Sequence, residues 1–332
     1  MIVLSQREVG ALLTMPDCID VMGRALAALA RGESLLPLRT IFRVPNSTDF
    51  FALMPGYVAA PAGIGAKVIT VFPKNHGTNR DSHQGAVLLF DANDGSLSAV
   101  LDATSITSIR TAAVSALATR HLARDDADDL AILGSGVQAR THLEAIPLVR
   151  KIRRVRVWSR DSSRARALVE AFASQFSEIS VCASAEAAVR QASIICTVTS
   201  SSEPVLEGKW VAPGAHLNVV GSASPRAREV DTETVVRSRL FVDRRESALA
   251  EPGDILIPIA EGAITRDHIV AELGEVVAGS RRGRESDEEI TLFKSLGLAV
   301  EDIAAAQHVY ALALERSVGT VVDLGGVRES GA

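Results

Sequence analysis

Residues 130–140 read LAILGSGVQAR, and this stretch restricts the fold more than any other in the chain. An apolar run suited to a buried strand passes into Gly134-Ser135-Gly136 and then into a helical pattern beginning at Val137 and Gln138. Glycines at such a junction let the backbone turn sharply and approach a pyrophosphate, while the helix N-terminus offers free N–H groups and partial positive charge. Ala139 fills the third small position of the G-x-G-x-x-G/A spacing, where a helix must pack closely. A glycine turn of purely structural purpose would look the same in isolation, so the setting decides. After about residue 125, apolar runs alternate with helical stretches: LAIL, VQARTHLEAIPLV, VRVW, SRARALVEAFASQF, ASIICTVT, LNVVG, LFVD. That alternation predicts a parallel sheet with crossover helices, and places Gly134 and Gly136 at a dinucleotide.

The strand VRVW should end beside the adenosine ribose, where an acidic residue would bind the ribose hydroxyls of NAD(H). Here Ser159-Arg160-Asp161 follows it. A guanidinium at Arg160, with Ser159, Ser162 and Arg164 nearby, suits a 2′-phosphate, so NADP(H) is expected in preference to NAD(H). The competing reading makes Arg160 a solvated loop residue and gives Asp161 the acidic role one position late.

Before residue 125 the pattern differs. Short β-rich runs such as Gly65–Phe72 and Ala86–Phe90 are separated by turn clusters, PKNHGTNRDS being the clearest, which reads as α+β. In GAKVITVF, alternation puts Lys67 on the face of Ile69 and Val71, either as an edge-strand charge reaching water or as a cation facing a pocket. Arg39, Arg43 and Arg110 add cations, and several of these converging would clamp a carboxylate. Each arginine alone reads more simply as a surface residue. Met54 and Phe72 read as core. From about residue 286 helical patterns return, with SRRGRESDEE as a solvated loop leading into a helix capped by Ser286 with Glu289 in capping-box spacing.

The 332 residues suggest about two domains. With 35 basic against 40 acidic residues, net −5, and no basic block, a nucleic-acid partner is not expected. The N-terminus lacks a basic head followed by an unbroken apolar run, and no window is long enough for a spanning helix. Cys18, Cys182 and Cys196 are too scattered for a disulfide framework or a zinc site, and His, Cys and acidic residues show no ligand spacing, so no metal is expected. A cytoplasmic protein that does not engage membranes fits.

The ordered stretches SHQGAVLLFDANDGSLSAVLDATSITSIRTAAVSALATRHLA, LAILGSGVQAR, LGEVVAG and FKSLGLAVED resemble the ornithine cyclodeaminase and mu-crystallin family, from the first helix to about residue 320. The SHQ and FKSLG segments are closer to mu-crystallin and its bacterial relatives than to the cyclodeaminases. The resemblance implies an α/β fold with a Rossmann-type parallel-sheet domain at 121–300 and an α+β substrate-binding and dimerisation domain at 1–120. A C-terminal tail, 301–332, would return to that first domain, and the protein would be a homodimer. It further implies Lys67 beside the reacting centre, Arg110 on the substrate carboxylate and cofactor pyrophosphate, and Arg39 as a second anchor, with Arg43 competing for that place. Ser82 and His83 would touch the nicotinamide side, although His83 reads equally as a hydrogen-bonding loop residue. Val137, Gln138, Ser159, Arg160, Thr199, Val220 and Ser295 match cofactor contacts.

Two departures narrow the chemistry. Cyclodeaminases carry an Asp where this chain has Ala223, as do related alanine dehydrogenases, and cyclodeaminases carry a Glu where it has Ala52. Oxidising an amino acid needs bases for its protons, whereas reducing a cyclic ketimine needs mainly orientation of its carbon against a hydride donor. The expectation is NADPH-dependent reduction of small imino acids, Δ1-pyrroline-2-carboxylate to L-proline or Δ1-piperideine-2-carboxylate to L-pipecolate. Lys67 would either anchor the carboxylate or deliver a proton. The rivals are an amino-acid dehydrogenase or cyclodeaminase, a reductive condensation of an amine with a 2-oxo acid, and a non-catalytic protein that binds NADPH and a small ligand.

Overall fold

A computed structural model describes residues 1–75 and 78–326; His76 and Gly77 of the expected turn and the last six residues of the expected tail lie outside the described residues. The chain divides into two compact units, residues 1–110 with 298–332, and residues 111–297.

The first unit is built on a seven-stranded sheet of β1 (Ile2–Leu4), β2 (Thr40–Arg43), β3 (Phe50–Ala59), β4 (Ala62–Val71), β5 (His83–Phe90), β6 (Leu97–Asp102) and β15 (Thr320–Val321). Their order is β15-β1-β6-β5-β4-β3-β2, antiparallel throughout except for the parallel pair β1–β6. The helix Ala299–Glu315 packs on β3, β4 and β5, and also on the helix Met15–Ala30. Glycines make that approach possible, since a Cβ at Gly65 would lie 2.8 Å from Ile303 Cγ1 and 2.9 Å from Leu88 O. In β4 the residues Gly63, Gly65, Lys67 and Val71 are buried, and the alternation expected for Lys67 is the one observed.

The second unit holds β7 (Asp129–Leu133), β8 (Arg154–Trp158), β9 (Glu178–Val181), β10 (Ile194–Thr197), β11 (His216–Val219), β12 (Ser238–Val242), β13 (Ile269–Glu272) and β14 (Ile290–Lys294). All described pairings are parallel, in the order β13-β12-β14-β11-β10-β7-β8-β9. From β7 the chain builds outward through β8 and β9, then returns to lay β10 on the other side of β7. Strand order therefore reverses at β7/β10, the place where open α/β sheets bind dinucleotides. β7 is wholly buried, and Leu217, Phe241 and Phe293 are among the core side chains of the neighbouring strands.

One expectation fails. No helix follows Ser286; residues Ile290–Lys294 form β14, fully buried between β11 and β12. The β-branched and aromatic run ITLF suits a central strand, and that burial outweighs the local capping signal. Glu289 Oε2 instead accepts a hydrogen bond from Glu285 N at 2.9 Å, and Arg284 binds the carbonyls of Leu122, Ala215 and Glu289.

Candidate active site

In the second unit, cross-strand register aligns Leu133 with Thr197, Thr197 with Val219, and Val219 with Lys294. Gly134, Thr199, Val220 and Ser295 therefore follow the carboxyl ends of adjacent parallel strands, and Ser159 and Arg160 follow β8. Gly134 has φ +136°, and a Cβ there would lie 2.7 Å from Val198 O, so the turn admits only glycine. Gly136 caps the helix Val137–Ala145 without any side-chain hydrogen bond, and a Cβ there would meet open space. The helix N–H groups are thus left for an anion, beside an exposed Val137 and a half-buried Gln138. Ser159 Oγ accepts from Ser135 Oγ at 2.9 Å, tying the end of β8 to the glycine turn.

Asp161 accepts from Ser163 Oγ at 2.6 Å and from Arg164 N and Ser163 N at 3.2 and 3.0 Å, and these bonds, the hydroxyl's above all, hold its carboxyl below the ordinary range. Its charge serves as a helix cap. Arg160 is exposed. Ser295 Oγ is buried and has no hydrogen-bond partner among the described residues, as expected of a group reserved for a ligand. A glycine cradle, an open helix N-terminus and an orphaned hydroxyl fit a dinucleotide.

The first unit carries a different cluster. Lys67 is 1% exposed on an interior strand, which excludes an edge-strand charge reaching water. Its cross-strand neighbours are Met54 and Val87, both buried. Lys67 Nζ lies 2.6 Å from Asp302 Oδ2, and Arg110 Nε lies 2.9 Å from Asp302 Oδ1. Arg110 Nη1 also reaches Glu301 Oε2 at 3.0 Å. Burial pushes Lys67 down to about 8; Asp302 opposes this, while the charges of Arg110 and Arg39 add to it. For Asp302, burial works upward, but Arg110 and Lys67 outweigh it and hold the carboxyl low.

Arg110 and Arg39 are both within electrostatic reach of Lys67, whereas Arg43 sits at the far end of the exposed β2. Ser82 and His83 lie at the start of β5, with Ser82 Oγ 3.0 Å from His83 Nδ1; His83 pairs with Val71 on β4. Ala52 is buried on β3 and Ala223 is exposed, so neither place provides a carboxylate.

Glu301 and Asp302 were not foreseen from the sequence. The available signal was a pair of acids in the first turn of an otherwise apolar helix, where the helix dipole favours them. Glu301 also accepts the Leu298 N–H at 3.2 Å, so one carboxylate both caps the helix and holds Arg110.

A nucleotide-ready sheet and a buried cluster of Lys67, Arg110, Glu301 and Asp302 in one chain suit a nicotinamide-dependent oxidoreductase. The chain belongs to the ornithine cyclodeaminase/mu-crystallin family, whose model matches residues 1–317. Ketimine reductase mu-crystallin of Mus musculus is 43% identical over 296 residues, 88% of this chain and 90% of that protein. The structure of Thermococcus litoralis Δ1-pyrroline-2-carboxylate reductase in complex with NADH and L-proline is 40% identical, with TM-score 0.94, covering 97% of this chain and 100% of that one. An archaeal alanine dehydrogenase dimer with bound NAD is 31% identical, with TM-score 0.93, covering 98% and 99%. The chain is an enzyme, an NAD(P)H-dependent oxidoreductase acting on CH–NH or C=N bonds.

Proposed function

We propose that this enzyme reduces cyclic ketimine carboxylates, Δ1-pyrroline-2-carboxylate to L-proline and Δ1-piperideine-2-carboxylate to L-pipecolate, with NADPH preferred over NADH. The carrying observation is the buried Lys67–Asp302–Arg110 bridge, under the field of Arg39, with alanine at both 52 and 223. A bound reduced nicotinamide supplies the hydride to the imine carbon. Arg110 and Arg39 hold the ring carboxylate. Lys67 adds charge on the same side and can give its proton to a neutral imine nitrogen.

Asp302 is a poor candidate for the base that amino-acid oxidation would need, because two cations keep it anionic at neutral pH and weakly basic. That favours reduction over dehydrogenation or deamination. For the carrier, an exposed Arg160 and an Asp161 already used as a helix cap favour a 2′-phosphate, while the two structural relatives were captured with the unphosphorylated form. Among the described residues no helix is long and apolar enough to cross a membrane. Three free cysteines, two of them buried, suit the reducing cytoplasm.

Carrier oxidation, followed with both cyclic imines and with NADPH and NADH, tests the reading. It is upheld by turnover of at least one imine, faster with NADPH at low carrier concentration. Ammonia released from ornithine, alanine or arginine, with both imines inert, would overturn it, as would carrier binding with no turnover at all.

The pH profile follows from Lys67. If the protonated ammonium is required, kcat/KM for the imine should be lost as pH rises through about 8, because free-enzyme groups govern that ratio. A flat profile between pH 7 and about 9.5 would remove the charged lysine from the reading.

We further propose a homodimer. The edge strand β2 is exposed along its length, and Leu35, Leu38, Ile41 and Phe42 form an uncovered apolar stretch there, with Phe42 stacked on Phe51 at 4.9 Å. Bare edges of this kind are usually covered. Light scattering should read twice 35.1 kDa, and Phe42→Glu should lower it; a monomeric wild type rejects the proposal.

A further inference from the structure

We infer that Glu229 is a positioning residue for the nicotinamide half of the carrier site. It rests on the carrier-binding reading above and not on the identity of the imine. Glu229 is completely buried, and its carboxylate accepts four hydrogen bonds. Oε1 takes Thr199 N at 2.6 Å and Thr199 Oγ1 at 2.7 Å, and Oε2 takes Thr197 Oγ1 at 2.8 Å and Gly221 N at 2.6 Å. One side chain therefore fastens the segments that leave β10 and β11. They touch directly: a Cβ at Gly221 would lie 2.0 Å from Thr199 O and 2.6 Å from Glu229 Oε1.

The anchor is itself anchored. Asp254 Oδ1 accepts from Glu229 N at 2.7 Å and Val230 N at 3.2 Å, and Asp254 Oδ2 lies 3.0 Å from Nζ of Lys294, a residue with no exposed surface. Lys294 ends β14 and precedes Ser295. The chain Lys294–Asp254–Glu229 thus sets the segments that follow β10, β11 and β14.

Strand order says which half of a dinucleotide these segments meet. A dinucleotide held at the glycine turn after β7 would put its adenosine beyond β8, so β10, β11 and β14 would serve the nicotinamide end. Disturbing Glu229 should weaken that end alone.

Glu229→Gln tests this, because an amide has one acceptor oxygen and cannot accept from both Thr199 N and Gly221 N, which reach different oxygens of Glu229. The readouts are dissociation constants for NADH and for ADP-ribose, which lacks the nicotinamide, with thermal melting as the check on folding. The expected result is NADH bound at least about tenfold more weakly, a difference of about 1.4 kcal/mol, with ADP-ribose within about twofold of wild type. Equal weakening of both ligands in a folded variant, or no weakening of either, overturns the inference. Should Glu229→Gln not fold, Thr197→Val removes one donor from Oε2, and the same split between the ligands, or its absence, decides. No imine enters the experiment, so a failed screen for imine turnover and a failed positioning role remain separate outcomes.

Discussion

Lys67→Met is expected to lower kcat/KM for the imine by about a thousandfold, because a positioned proton donor contributes about 10²–10⁴-fold and methionine supplies neither the proton nor the charge. Methionine keeps the unbranched stem between Met54 and Val87, so packing on β4 is preserved. Asp302 keeps the Arg110 Nε contact at 2.9 Å, which leaves no carboxylate stranded. Removing a desolvated ammonium also offsets part of the lost attraction, so stability should change by no more than about 1 kcal/mol. The glycine turn, the helix after it, Thr199, Val220 and Ser295 lie within residues 111–297, whereas Lys67 belongs to the other unit. NADH affinity should therefore stay within about twofold, on a scale where tenfold is 1.4 kcal/mol. Titration of carrier fluorescence together with imine kinetics separates the two effects. Turnover within threefold of wild type, on that same tenfold scale of about 1.4 kcal/mol, would end the assignment of Lys67 to the reacting centre.

What could be read in advance follows from which physics is local. The β7 turn, the helix after it and the alternation of strands with helices were legible because glycine spacing and apolar periodicity are properties of neighbouring residues. Lys67 was legible as a face of β4 but ambiguous as to role, since sequence does not say whether a strand is at an edge; its place between β3 and β5 resolves that. Asp302 and Glu301 were invisible as site groups because their partners, Lys67 and Arg110, lie nearly two hundred or more positions away in the chain. Lys294 and Glu229 were overlooked for a related reason: a charged residue in a buried segment announces a partner without naming it. The helix expected after Ser286 shows the opposite failure, a capping pattern overridden by the demand for a central strand at Ile290–Lys294.

Arg110→Gln should have the largest effect on stability. Arg110 binds both Glu301 and Asp302, and all three are buried. Glutamine would take the guanidinium from both carboxylates, while Asp302 keeps Lys67 and Glu301 keeps the Leu298 N–H. Removing one partner of a buried ion pair costs about 3–5 kcal/mol, which is about 10 °C in melting temperature for a unit of this size. The sign with pH follows from Asp302, whose carboxyl is held below its ordinary 3.8: its stabilising contribution is present above that value and disappears as pH falls through the lowered one. The gap between wild type and variant should therefore be full at neutral pH and narrow toward acid. Imine turnover should fall with it, since one cation of the carboxylate site is gone. Adding Glu301→Gln separates the two roles, for it removes the stranded charge without restoring the guanidinium: melting temperature should recover by several degrees while turnover does not. A single variant that melts within about 2 °C of wild type would show that Arg110 does not neutralise the acids at the start of the helix Ala299–Glu315.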